Sequence, residues 1–150
     1  MLDGLFVTPA ATAISQALSA AGADGPIVVV RHAKLATALA SSRDVIAVGV
    51  SERAARKLRT AVADTHALEP RSVAAVIAPD ITTDAAWDAT LREWTRIVRD
   101  GGTVVLVDRG HAAEASRRAL CAGLTDIQQR HTGRTILTSG LVTHLGPLST

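Results

Sequence analysis

The stretch LREWTRIVRDGGTVVLVD, residues 91–108, decides the fold. Its first half has the apolar period of a helix. With Trp87 just ahead of it, Leu91, Trp94 and Val98 form one stripe at spacings of three and four residues. Asp100-Gly101-Gly102 stops that helix. Residues 103–107 (TVVLV) then read as a short, apolar, mostly β-branched strand. A helix that ends in a glycine pair and leads directly into such a strand is half of an α/β repeat.

Working outward in both directions finds the same unit again. Upstream, the turn Gly25-Pro26 precedes a strand at 27–30 (IVVV). Further strands are read at 44–50 (DVIAVGV) and 73–78 (VAAVIA, closed by Pro79), with a short one at 61–63. Helices are predicted at 33–40, where Leu35 and Leu39 stand four apart, at 52–60 behind Ser51, at 85–99, and at 112–122 with Gly123 past its end. Thr8-Pro9 is a good opening for a helix over 10–21, closed by Gly22. Downstream, 127–130 and 134–138 form the two arms of an antiparallel pair turning at Thr132-Gly133. The alternation implies a doubly wound, mostly parallel α/β sheet with helices on both faces and an antiparallel C-terminal pair. It is read as one domain over 1–150, with an N-terminal helix and turn in 1–25 and the core sheet in 26–150. Ligands of such sheets bind outside the carboxyl ends of the strands, where the strand order reverses. The segments of interest are therefore 31–34, 49–51, 64–66, 79–84 and 108–111.

Composition narrows the function classes. The chain has 150 residues, 47% hydrophobic and 20% charged, enough for one core without disulfides or a structural metal. There is one cysteine, Cys121, read as a small buried apolar residue. The apolar runs reach about six residues, far short of the ~18 that span a bilayer. Residues 1–9 lack a basic leader and carry Asp3, so a cytoplasmic, non-membrane protein is expected. The pI near 9.3 rests on a net charge of only +2. Aromatics are Phe6, Trp87 and Trp94 alone, too few to stack bases, so nucleic acid is not the expected partner. Trp87 and Trp94, seven apart on one helical stripe, are core or interface residues.

Several clusters could carry chemistry. Arg31, His32 and Lys34 make a basic turn behind the strand at 27–30, suited to an anion or an acidic patch. Asp64 and His66 stand two apart and could act as an acid–base pair. Arg53, Arg56, Lys57 and Arg59 make one segment strongly basic. Asp108, Arg109 and His111 follow the strand at 103–107. The five histidines show no metal-ligand spacing, and no P-loop, GxSxG or GxGxxG is present. No catalytic residue and no metal site is assigned.

From about Pro26 onward the sequence resembles the class I S-adenosylmethionine-dependent methyltransferases. The phrases are DVIAVGVSERAARKLR (44–59), AVADTHALEP (61–70), SVAAVIAPD (72–80), residues 91–108, and ALCAGLTDIQQRHTGRTILTSG (119–140), taken in order and spacing. The resemblance implies a seven-stranded methyltransferase-like sheet and a cofactor site at Arg31, His32, Gly49, Ser51 and Asp64. It also marks where this chain departs. The family's turn after its first strand is glycine-rich, so that backbone can approach the cofactor. Here that turn is Arg31-His32-Ala33-Lys34, without glycine and about two residues short. The family places a carboxylate for the ribose hydroxyls at the end of the second strand. Here Gly49 stands there, followed by Val50-Ser51. Asp64 matches the family's adenine contact.

The expectation is a degenerate member: no cofactor in the usual mode, and a non-catalytic role as a protein-interaction or regulatory module, as a homodimer or beside a partner subunit. One alternative is an active S-adenosylmethionine-dependent methyltransferase with an atypical cofactor loop. A second is a basic-surface binder of nucleic acid or an acidic partner.

Overall fold

The computed structural model describes residues 2–144, with side chains from residue 9 onward. In chain order the elements are α1 (Leu2–Ala20), β1 (Ile27–Val30), α2 (Ala33–Ala40), β2 (Val45–Val48), α3 (Glu52–Ala55), β3 (Thr60–Val62), a 3-10 turn (Thr65–Ala67), β4 (Val73–Pro79), a second 3-10 turn (Ile81–Thr83), α4 (Trp87–Ile97), β5 (Val98–Arg109), α5 (Ala112–Cys121), β6 (Thr125–Thr132) and β7 (Thr135–Leu141). The strands form one sheet in the order β3-β2-β1-β4-β5-β7-β6. The first five pair in parallel, and β7 pairs antiparallel with both β5 and β6. The seven-stranded, mostly parallel sheet with an antiparallel C-terminal pair is thus the observed architecture.

Alternate residues of each strand feed two separate cores, as the two-residue period of a strand requires. On one face Ile27, Val29, Ala47, Ile77 and Val105 meet Ile14 and Leu18 of α1 and Leu35 and Leu39 of α2. On the other face Val28, Val30, Val76, Val104 and Leu106 meet Leu91, Trp94 and Ile97 of α4 and Ala119 of α5. The strand order reverses between β1 and β4, which pair directly, Val28 opposite Val76. The crevice of interest therefore lies past Val30 and Pro79. Among the described residues no helix is long and apolar enough to cross a membrane.

Four local expectations are corrected. The first helix begins at Leu2 and holds Pro9 inside it, rather than opening at Thr8-Pro9. Proline's fixed φ suits a helix, so the cap signal alone does not separate a first turn from an interior position. The basic segment is helical only over Glu52–Ala55, because the chain must extend by Thr60 to pair with Ile46. β5 starts at Val98, which pairs with Val73 before the ladder shifts and resumes at Ala75 and Thr103. Cys121 is exposed, not buried. The inward positions of α5 are Ala115 and Ala119, one turn apart, and Cys121 stands two residues beyond that stripe.

Candidate functional site

The carboxyl edge of the sheet is lined by residues in the left-handed region. Arg31 (φ 53°) follows β1, Gly49 (φ 69°) follows β2, Asp80 (φ 60°) follows β4, and Gly110 (φ 83°) and His111 (φ 60°) follow β5. For a residue with a Cβ this conformation costs about 1–2 kcal/mol. Such strain gathers where the surrounding structure dictates a side chain's position. Among the described residues, three of the five non-glycine residues with positive φ stand on this edge.

Arg31 shows what the strain achieves. Its N–H donates to the Val48 carbonyl at 2.7 Å, turning the chain from β1 across the end of β2. Its side chain then lies over Gly49. A Cβ on Gly49 would come within 2.9 Å of Arg31 Cγ and 3.8 Å of Cδ. Gly49 is therefore favoured twice, by its left-handed backbone conformation and by the arginine stem packed on it.

The other three positions singled out by the resemblance are turned toward their own backbone. His32 caps α2, its Nδ1 accepting from Leu35 N–H at 3.2 Å. Ser51 caps α3, its Oγ accepting from Ala54 N–H at 3.2 Å. Asp64 caps the turn Thr65–Ala67, its Oδ1 accepting from His66 N–H at 2.7 Å. The structure does bring Asp64 and His66 together, with Nδ1 of the ring 3.3 Å from Asp64 Oδ1. Nε2 of the same ring is 3.5 Å from Glu93 Oε2 on α4. Both Asp64 and His66 are well exposed, at 66% and 77%.

Past β4 and β5 lies an arrangement that the sequence did not reveal. Asp108 is 1% exposed. Its Oδ1 accepts from the backbone N–H of Thr82 at 3.0 Å and from Thr82 Oγ1 at 2.9 Å, tying the turn Ile81–Thr83 to β5. Its Oδ2 is buried without a hydrogen-bond partner among the described residues. Arg118 of α5 holds the same turn from the other side. It donates to the carbonyls of Ile81 and, at 3.2 Å, Asp84, while its Nε donates to Glu114 at 2.7 Å. The guanidiniums of Arg117 and Arg118 also stand 5.5 and 5.3 Å from the Trp87 ring centre. Together they hold the Glu114 carboxyl down to about 2. The available signal was the i, i+4 spacing of Glu114 and Arg118. Arg109 and His111, expected beside Asp108, are exposed at the rim. Between the ends of β1 and β4 a cleft of ≈390 Å³ is lined by Arg31, Pro79, Asp80, Thr83, Asp84 and Ala85.

Burial pushes the Asp108 carboxyl above the usual carboxylate value. The nearby Asp80 charge adds to the rise, against the lowering by the Thr82 bonds and by Arg118. A raised pKa means that the folded state favours the protonated form. This group's contribution to stability is fully present below about pH 4, its unfolded value, and is lost as pH rises through the folded value. Asp108→Asn keeps an acceptor for Thr82 and does not titrate. Its stability relative to the parent should therefore improve between about pH 4 and pH 7, read from denaturant midpoints at the two pH values. Parallel pH curves for the two proteins would refute this.

The strand order, with β7 inserted between β5 and β6, can be set beside known proteins. A candidate S-adenosylmethionine-dependent methyltransferase of Methanococcus maripaludis superposes with a TM-score of 0.70 at 12% identity, covering 93% of this chain and 86% of that one. A chain of the complex between the Haloferax volcanii Trm112 methyltransferase activator and a candidate methyltransferase gives 0.64 at 16%, covering 80% and 83%. Geranyl diphosphate methyltransferase in complex with S-adenosylmethionine gives 0.61 at 13%, covering 80% and 79%. The fold is that of the class I S-adenosylmethionine-dependent methyltransferases. The chain spans only 49% and 35% of two longer methyltransferases of this fold. No protein-family model matches the sequence, and no curated protein matches it. At the positions that the resemblance singles out, this chain departs from the methyltransferase pattern. The glycine turn is replaced by Arg31-His32, the carboxylate after β2 is replaced by Gly49, and the Arg31 stem covers Gly49.

Proposed function

We propose that this methyltransferase-fold domain does not hold S-adenosylmethionine in the usual mode and works as a non-catalytic protein-interaction or regulatory module, paired with itself or with a partner subunit. The observation that carries this reading is the packing of Arg31 on Gly49, 2.9 Å from the position of an added Cβ. Side-chain carbon stands there in place of a carboxylate for the ribose. The capping roles of His32 and Ser51 support it, since each side chain accepts a hydrogen bond from the backbone of its own helix. A chain of the same fold in complex with the Trm112 activator is a precedent for a protein partner.

A second reading, an active methyltransferase with an atypical cofactor loop, is favoured by the ≈390 Å³ cleft left open between β1 and β4. Calorimetric titration with S-adenosylmethionine separates the two. Flat heats up to millimolar ligand are expected, and saturable heat with a micromolar constant would overturn the proposal in favour of the second reading. A solution mass at twice the chain's 15.5 kDa would place the partner surface on the chain itself.

A further inference from the structure

The two edges of the sheet are built differently. β6 carries Asp126 in the left-handed region, a register shift between Thr125 and Gln128, and charged or titratable side chains at Asp126, Arg130 and His131. A bulge and charges along an edge strand deter pairing with another chain. β3, on the opposite edge, is Thr60-Ala61-Val62, with no bulge, charge or proline. What guards it is the segment just before it. There Arg53, Arg56, Lys57 and Arg59 are exposed, against the single carboxylate of Glu52. Among the described residues no side chain of these four cations has a hydrogen bond or an ion pair. By contrast Arg92, Arg96, Arg117 and Arg118 on α4 and α5 each pair with a carboxylate.

We propose that the β3 edge accepts an acidic, extended segment of a partner protein as an added strand, its carboxylates paired by Arg53, Arg56, Lys57 and Arg59. The inference rests on reading the chain as an interaction module and names the chemistry of its partner. An uncapped strand offers backbone donors and acceptors in register, which a polypeptide matches. The flanking cations select among polypeptides: a second β3 edge would bring like charges together, whereas an acidic strand neutralises them. Nucleic acid would meet the cations but not the backbone groups. Trp87 and Trp94, the described aromatics, lie on α4, away from this edge. A cleft of ≈440 Å³ lined by Ser41, Ser42, Arg43, Asp44, Leu58 and Arg59 lies beside the entry to β3 and has room for an uncharged side chain of the incoming strand.

The test uses the full chain and three labelled probes followed by fluorescence anisotropy. They are a short peptide alternating Glu and Val, the same peptide with alternate amides N-methylated, and a polyuridine oligonucleotide. The first peptide should bind, weakening by about tenfold between ~50 and ~200 mM salt. It should protect from hydrogen exchange the amide of Ala61, which faces away from β2 because the Val62 carbonyl next to it accepts from Gly49 N–H. Its affinity should fall about tenfold or more in the double variant Arg56→Glu, Lys57→Glu, whose changes are confined to exposed side chains. Equal binding of the N-methylated peptide, tighter binding of the oligonucleotide, or an unchanged double variant would overturn the proposal. Its failure is separable from that of the reading above. A chain that binds S-adenosylmethionine and still takes the strand overturns only the non-catalytic role. A chain flat to cofactor and peptide alike overturns only the strand addition.

Discussion

Gly102→Ala should be the most damaging small substitution in this domain, with a fall in melting temperature of about 10 °C or more. The reason is close approach, not backbone handedness. An added Cβ would sit 2.5 Å from Val98 Cγ1, 2.6 Å from the Ala74 carbonyl oxygen and 3.0 Å from the Arg99 carbonyl oxygen. Two of those three atoms are backbone, and Val98 and Ala74 are buried. The clash cannot be relieved by rotating a side chain. It must separate β4 from β5 at the point where the ladder shifts between Val73 and Ala75. Overpacking costs about 1–3 kcal/mol when side chains can yield, so roughly 3 kcal/mol or more is expected where backbone must move. That is a large part of a typical total of about 5–15 kcal/mol. The neighbouring Gly101 is the control. Nothing lies within 4 Å of its added Cβ, although its φ is +80°. Gly101→Ala should therefore carry only the left-handed strain of about 1–2 kcal/mol. Thermal melts of both variants read the difference, and similar melting temperatures for the two would contradict the packing described for Gly102.

The same glycine pair shows how much the sequence discloses. Asp100-Gly101-Gly102 signals that α4 has stopped and a strand follows, but α4 ends earlier, at Ile97, and the glycine pair lies inside β5. Ile27–Val30 and Ala33–Ala40 are legible residue for residue, because burial on both faces makes a strand a continuous apolar run and a helix a four-residue stripe. What the pattern does not disclose is whatever depends on two segments meeting. The second glycine is needed because Ala74, far away in sequence, comes close to it. Arg31, Asp80 and His111 take left-handed conformations without being glycine, so no local signal announces them. The burial of Asp108 and its bonds to Thr82 require β5 and the turn after β4 to be side by side. The basic segment reads as a full helix from its alanines, yet it must leave the helix at Arg56 to reach β3. The candidate cofactor positions were legible only through the resemblance. The capping roles of His32, Ser51 and Asp64 follow from the helical turns that begin beside them.

The double variant Arg31→Gly, Gly49→Asp should bind S-adenosylmethionine measurably where the parent does not. Each change is designed from the local geometry. Arg31→Gly removes a side chain held at φ 53° and should not destabilise the fold through the backbone, since glycine occupies that region freely. It also empties the space over Gly49, because Arg31 Cγ and Cδ are the atoms within 4 Å of an added Cβ there. Aspartate tolerates the left-handed region better than most residues, so it suits position 49 at φ 69°. Its carboxylate would restore the acceptor that the family keeps for the ribose, a charge-assisted bond of about 1.5–3 kcal/mol. That corresponds to roughly 10- to 150-fold in affinity. The two changes share one space, so they should not be additive. Gly49→Asp alone meets the arginine stem at 2.9 Å, and Arg31→Gly alone opens the crevice without supplying the acceptor. Calorimetry on the parent, both single variants and the pair measures the coupling. A flat double variant would locate the obstruction in the shortened His32-Ala33 turn instead. Equal affinity in parent and double variant would show that the Arg31 stem is no barrier, and with it the observation carrying the non-catalytic reading would fall.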